Sequence, residues 1–153
     1  MLNFKGHLEH LWRLREEAGK SERNVLAVLP AFSCQNDFRV FAIEQRWQIC
    51  FASTLEAAVD ILQRQKIDVV IYDLDLPGAG WRKALSRISN FAGPAIVIVL
   101  SHTTGTSEER LVLDCGCYAV ARKPVERGNL VPLVNGALQL AEDIDSLCLS
   151  ERR

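Results

Sequence analysis

The chain has no excess of positive charge: 18 Lys and Arg face 19 Asp and Glu, a formal net charge of −1. Nucleic-acid binding leans on a basic surplus to neutralise phosphates, so the bulk composition argues against it. Long apolar runs are also missing. No stretch approaches the ~18 to 20 apolar residues that a membrane helix needs. The opening, MLNFKGHLEHLWRLREE, is broken by charges and carries no apolar signal core. Metal-binding cysteine patterns are absent as well. The five cysteines, Cys34, Cys50, Cys115, Cys117 and Cys148, are odd in number and irregularly spaced. Cys115-Gly116-Cys117 has no second pair and no nearby histidine to complete a zinc site. Free thiols in a reducing, cytoplasmic compartment are the expectation.

What is present is ordinary for a globular domain: 153 residues, 48% hydrophobic and 24% charged, enough chain for one buried core. Four short runs of aliphatic residues recur: Val25 to Leu29, Val69 to Tyr72, Ala95 to Leu100, and Tyr118 to Ala121. A fifth, Gln48 to Ala52, is less regular. Such runs suit parallel strands buried on both faces. Helical spacing fills the gaps. Leu55, Ala58, Val59 and Leu62 form one stripe behind a Ser53/Glu56 capping box. Thr106 with Glu109 opens a helix carrying Leu111, Val112 and Cys115, which Gly116 stops. A last helix over about 129–149 turns Leu130, Leu133, Val134, Leu138 and Ala141 inward.

Strand and helix alternating five times predict an α/β fold, a doubly wound parallel sheet of the flavodoxin-like order 2-1-3-4-5. Residues 1–22 stand outside this scheme as an extra N-terminal element, with residues 23–150 forming the domain proper. Phe4, Leu8, Leu11, Trp12 and Arg15 space an amphipathic helix. Its stripe either packs on its own domain or docks on a second copy or a partner protein.

Ligand chemistry in such sheets lies at the carboxyl ends of the strands. That brings Leu29, Pro30, Asp73, Ser101 and Lys123 around one crevice. Asp73 ends the third strand before a turn, Asp73-Leu74-Asp75-Leu76-Pro77-Gly78, and is expected to face solvent there. A carboxylate, a hydroxyl and an ammonium on adjacent strand ends make a phosphoryl site, with the carboxylate as nucleophile and the other two holding oxygens. Asp75 reads as a solvated turn residue, with a replacement metal ligand as the lesser alternative. His102 reads as an exposed loop histidine.

At this point the chain from about Asn24 to Asp143 resembles the receiver domains of two-component response regulators. The resemblance rests on the Asp-Leu-Asp-Leu-Pro turn, Ser101 after the fourth strand, Lys123-Pro124 after the fifth, and Gly116 before the fifth. It implies that Asp73 is the phosphoacceptor, Ser101 the switch hydroxyl and Lys123 the phosphoryl-pairing lysine. Two departures stand out. Where receivers keep an acidic pair that holds magnesium, this chain has Leu29 and Pro30. Where they keep an aromatic three residues before the lysine, it has Val120, with Tyr118 two positions earlier on the same face by strand parity. Magnesium keeps its waters unless carboxylates compensate, so Asp73 and Asp75 are weak metal candidates at best. Carboxylates ~4 to 5 Å apart without a metal repel by roughly 3 to 4 kcal/mol at an effective dielectric near 20; apolar residues remove that repulsion.

The reading that follows is a stand-alone pseudo-receiver that signals through protein contacts and is not an enzyme. It needs no cofactor beyond a weakly held magnesium. Its partner would be a signalling protein such as a histidine kinase or phosphotransfer protein, and homodimers are open. The alternative is a phosphorylation-competent single-domain regulator using Asp73. A small-cofactor domain is a third reading, disfavoured because Pro30-Ala31-Phe32-Ser33 replaces any Gly-rich phosphate loop.

Overall fold

Burial on both faces explains why the aliphatic runs become strands. In the computed structural model, which describes residues 23–30, 35–78, 80–102 and 107–151 (backbone only for 148–151), Val25, Leu26, Ala27 and Val28 are fully buried. They form β1 (Asn24–Val28). The chain continues through α1 (Gln35–Gln45), β2 (Gln48–Ala52), α2 (Leu55–Arg64), β3 (Val69–Asp73) and α3 (Trp81–Ala92). It ends with β4 (Ile96–Ser101), α4 (Ser107–Asp114), β5 (Ala119–Arg122) and α5 (Arg127–Glu151). The five strands pair in parallel in the order β2-β1-β3-β4-β5, the order expected from the sequence. The residues of the expected N-terminal helix, 1–22, lie outside those described. No helix among the described residues is long and apolar enough to cross a membrane.

Side chains alternate along each strand, so one sheet feeds two cores. Val25, Ala27, Val69 and Ile71 pack with Phe38 and Phe41 of α1 and with Leu130, Val134 and Leu138 of α5. Leu26, Val28, Val70 and Tyr72 pack with Leu55, Val59 and Leu62 of α2 and with Leu85 and Ile88 of α3. Each fully buried aliphatic side chain contributes roughly 1.5–3 kcal/mol. This two-sided burial holds the strand ends level and so positions the crevice.

Local expectations are met unevenly. The α2 stripe is buried as spaced, but its cap is Thr54, whose Oγ1 accepts from Ala57 N–H at 3.1 Å, and not Ser53. The chain enters the helix one residue later than a Ser53/Glu56 box requires. Gly116 adopts φ 96° just past α4, as a helix-stopping glycine should. On α4 only Val112 is buried; Leu111 and Cys115 are exposed, because this short helix lies over the sheet edge. The proposed Thr106 cap falls outside the described residues. Along α5 the inward set holds, with Leu133 half-buried and Val131 and Ala137 added to it.

Tyr118 departs from the parity expectation. It precedes β5, and its hydroxyl lies against α5, 2.9 Å from where a Cβ on Gly136 would stand. Val120 packs instead with the α2/α3 core. Ala in place of Gly inside a helix ordinarily stabilises by about 0.5–1 kcal/mol. Gly136→Ala should therefore show this gain in full only in a Tyr118→Phe background, and a smaller one in the wild type, by urea unfolding of the four variants.

The thiols Cys50, Cys115 and Cys117 are free. Burial and the neighbouring Cys115 push the Cys117 thiol up to about 11, and burial raises Cys50. Iodoacetamide labelling at mildly alkaline pH, mapped by mass spectrometry, should modify exposed Cys115 well ahead of these two, since the thiolate is the nucleophile.

Candidate functional site

The crevice is built by register. Val28 is level with Tyr72, Asp73 with Leu100, and Ser101 with Arg122. Leu29, Asp73, Ser101 and Lys123 therefore come together at the carboxyl end of the sheet. Backbone bonds extend the ladder past the strands: Leu74 N–H to Leu100 O at 3.0 Å, Lys123 N–H to Ser101 O at 2.9 Å, and Leu29 N–H to Ala52 O at 2.9 Å. The Lys123-Pro124 peptide is cis.

Asp73 is 0% exposed, so the expectation that it faces solvent is corrected. Its carboxylate turns inward because it has local work. Oδ1 accepts from the Asp75 N–H at 2.8 Å, and the Asp73 carbonyl accepts from Leu76 N–H at 3.1 Å. An aspartate that bonds its own backbone two residues on closes a tight turn. That turn swings Asp75 back over the site.

Lys123 then meets both acids. Its Nζ lies 2.7 and 2.8 Å from the two oxygens of Asp73, and 2.7 Å from Asp75 Oδ2. His102 Nε2 stands 3.0 Å from the same Asp75 oxygen. The reading of Asp75 as a solvated turn residue holds, since it is half-exposed in the turn after β3, and its capture by Lys123 adds to that reading by making it the outer wall of an ion cluster. The hydrogen bond from Lys123, with the charges of Lys123 and His102, holds its carboxyl below the usual range against a smaller effect of burial. Burial works against the Lys123 charge, but hydrogen bonds to Asp73 and Asp75 outweigh it and raise the ammonium pKa.

Ser101 is buried at the end of β4. Leu29 is 0% exposed and belongs to the α1/α5 core, on the face of the sheet that Asp73 shares by alternation. Pro30 is half-buried. Neither supplies a carboxylate. Among the described residues no group of three or more His, Cys, Asp or Glu side chains converges as a metal site. Sequence reasoning placed Asp73, Ser101 and Lys123 correctly in one crevice. It missed the capture of Asp75 by Lys123, for which the only available signal was the Asp-x-Asp spacing.

A doubly wound parallel sheet with a buried aspartate, a hydroxyl and a lysine at its carboxyl ends has the architecture of a receiver-like α/β domain. The response regulator receiver domain family matches residues 34–135. The chain belongs to that family, whose members act in two-component signal transduction. It is 26% identical over 117 residues to the "Probable transcriptional regulator ycf29" of Cyanophora paradoxa. That match takes in 75% of this chain and 56% of the relative, so the chain spans about half the length of that protein.

Solved structures share the fold at lower identity. A response regulator receiver domain protein from Methanospirillum hungatei superposes with a TM-score of 0.72 at 15% identity, over 80% of this chain and 98% of that one. One from Clostridium thermocellum gives 0.71 at 20%, over 79% and 98%. The receiver domain of sensor histidine kinase PA1611 from Pseudomonas aeruginosa, which has magnesium coordinated in its active-site cleft, gives 0.67 at 17%, over 78% and 99%.

Proposed function

We propose that this receiver signals through protein contacts from a state set by its own ion pairs, without the usual magnesium-dependent phosphorylation of Asp73. The observation that carries this is the position of Lys123 Nζ, within 2.8 Å of three carboxylate oxygens on Asp73 and Asp75. One internal ammonium compensates both acids where a bound cation would otherwise be needed.

The donor set suits magnesium poorly. That ion wants near-octahedral oxygen ligands, usually one or two carboxylates plus water. Here both oxygens of Asp73 are engaged by Lys123, and Oδ1 also by the Asp75 N–H. Asp75 Oδ2 is shared between Lys123 and His102. At the end of β1, level with Asp73, stand Leu29 and Pro30 with no oxygen to offer from their side chains.

The experiment is a titration of the nitrogen-15-labelled chain with magnesium and then beryllofluoride, a mimic of the phosphoryl group. Amide shifts that stay flat around Asp73, Ser101 and Lys123 support the fixed state. Saturable shifts at those three residues would sink it. They would favour a second reading, phosphorylation on Asp73, which rests on Asp73, Ser101 and Lys123 remaining buried together in one crevice.

A further inference from the structure

The last helix is longer than the sheet requires. α5 has 25 residues, or ~37 Å at 1.5 Å per residue, yet its buried apolar residues stop at Ala141. The tail beyond is tied to the amino end of the sheet, where Lys66 Nζ, in the loop before β3, lies 2.7 Å from Asp145 Oδ2. Along this tail Leu140 is 38% exposed and Leu147 65%, with Ile144 half-buried between them. Spaced i, i+4 and i+7, the three share one side of the helix. They form an apolar strip ~10 Å long.

Charge and position say what covers the strip. No Lys or Arg occurs from Gly128 to Glu151, while Glu142, Asp143 and Asp145 crowd the tail. The carboxyl end of the helix adds the negative end of its dipole. Asp143 flanks the strip, at i+3 from Leu140 and i−4 from Leu147. A second copy pairing through the same strip would set acid against acid, so a basic amphipathic occupant fits better. Asn24 N–H donates to Asp68 Oδ2 at 3.0 Å, and Asp68 N–H to Asn24 O at 2.9 Å. The chain therefore enters β1 close to Lys66 and its partner Asp145, at the tail's own end of the domain. Residues 1–15 carry Lys5, Arg13 and Arg15 against Glu9 alone. Their apolar positions Phe4, Leu8, Leu11 and Trp12 span ~12 Å at helical rise, a match for the strip. From Trp12 to Arg23 an extended chain reaches up to ~38 Å, ample for that placement.

We propose that the chain's own residues 1–15 cover this strip, with Leu8, Leu11 and Trp12 on Leu140, Ile144 and Leu147 and the segment's cations beside Asp143. The strip is then closed to other proteins while the segment holds it. This contact lies at the end of the sheet opposite the Asp73 crevice and is independent of how Asp73 is used.

The test follows amide hydrogen exchange in the nitrogen-15-labelled full chain. Residues 4–15 should be protected in the wild type. An isolated helix of that length is marginal in water, so protection reports docking. Leu147→Lys with Asp143→Lys, both at exposed positions, should lower that protection at least ~10-fold while the amides of β1 and β3 keep theirs. Leu8→Ser with Trp12→Ser, both outside residues 23–151, should in turn shift the amides of Leu140, Ile144 and Leu147. Protection should survive a roughly tenfold dilution, because a contact within one chain does not depend on concentration. The proposal is overturned if residues 4–15 exchange freely in the wild type, or if their protection survives the paired lysine substitutions. It is equally overturned if Leu8→Ser with Trp12→Ser leaves the tail amides unmoved. Loss of protection on dilution would also overturn it, by placing the stripe on a second copy.

Discussion

Replacing Lys123 with methionine should destabilise the domain by about 3–5 kcal/mol at neutral pH, the loss typical when one partner of a buried pair is removed. Methionine keeps most of the stem volume, so the loss reports charge and not a cavity. The side chain of Asp73 is 1% exposed and that of Lys123 8%, so water cannot take over from the missing ammonium. Asp73→Asn alone should cost less, because Asp75 remains as a partner for Lys123. The double variant Lys123→Met with Asp73→Asn should recover about 2 kcal/mol relative to the sum of the single losses, the signature of two groups in one network. Urea unfolding with linear extrapolation measures all four states. A cost below about 1 kcal/mol for Lys123→Met would place the pair among ordinary surface bridges and remove the basis for a self-compensated site.

The pH dependence of that difference has a definite sign. The Lys123 pKa is raised in the folded protein, so its contribution is fully present below the ordinary value of 10.5 and is lost as pH rises through the higher folded value. Asp75 is lowered from 3.8, so its contribution is present above that value and is lost as pH falls through the lower folded one. The gap between wild type and Lys123→Met should be widest between these limits and narrow at both ends.

The second large effect concerns magnesium. The double variant Leu29→Asp with Pro30→Asp should be less stable than wild type by at least ~3 kcal/mol without metal. Burial of Leu29 alone is worth roughly 1.5–3 kcal/mol, and the new carboxylates add repulsion beside Asp73. Val28 is level with Tyr72, which sets residue 29 beside Asp73 on the neighbouring strand. Magnesium should then restore about 2.7 kcal/mol at roughly 100 times its Kd. That corresponds to a Tm rise of several degrees, at about 2–8 °C per kcal/mol. The wild-type Tm should stay flat over the same titration. A rise in the wild type as large as in the variant would show that Leu29 and Pro30 do not prevent metal binding.

Much of this was legible from one sequence because the signals are local. Val25, Val69 and Ile98 lie in runs too short and too apolar for surface helices, and each became a strand within a residue of the expected bounds. Helical spacing marked Leu55, Ala58, Val59 and Leu62 before any contact was known. Asp73, Ser101 and Lys123 could be placed together because strands of similar length, all parallel, must end at one level. The cap on α2 was missed by one residue, since Ser53 and Thr54 are both competent caps and only the path of the backbone chooses between them.

What depended on tertiary structure was direction and capture. Asp73 points into the domain because it bonds its own turn, a geometry that composition does not reveal. Asp75 became part of the site only when that turn brought it within reach of a lysine 48 residues away in sequence. Tyr118 crossed to α5 because it sits just before a strand, where alternation no longer governs its side. The sequence by itself determined the alternating pattern, the two-sided burial and the set of reactive residues, because periodicity and side-chain chemistry are properties of neighbours along the chain. The tertiary structure decided which charges neutralise one another and which side of the sheet Tyr118 takes, because those depend on distances between residues that only the packed sheet brings together.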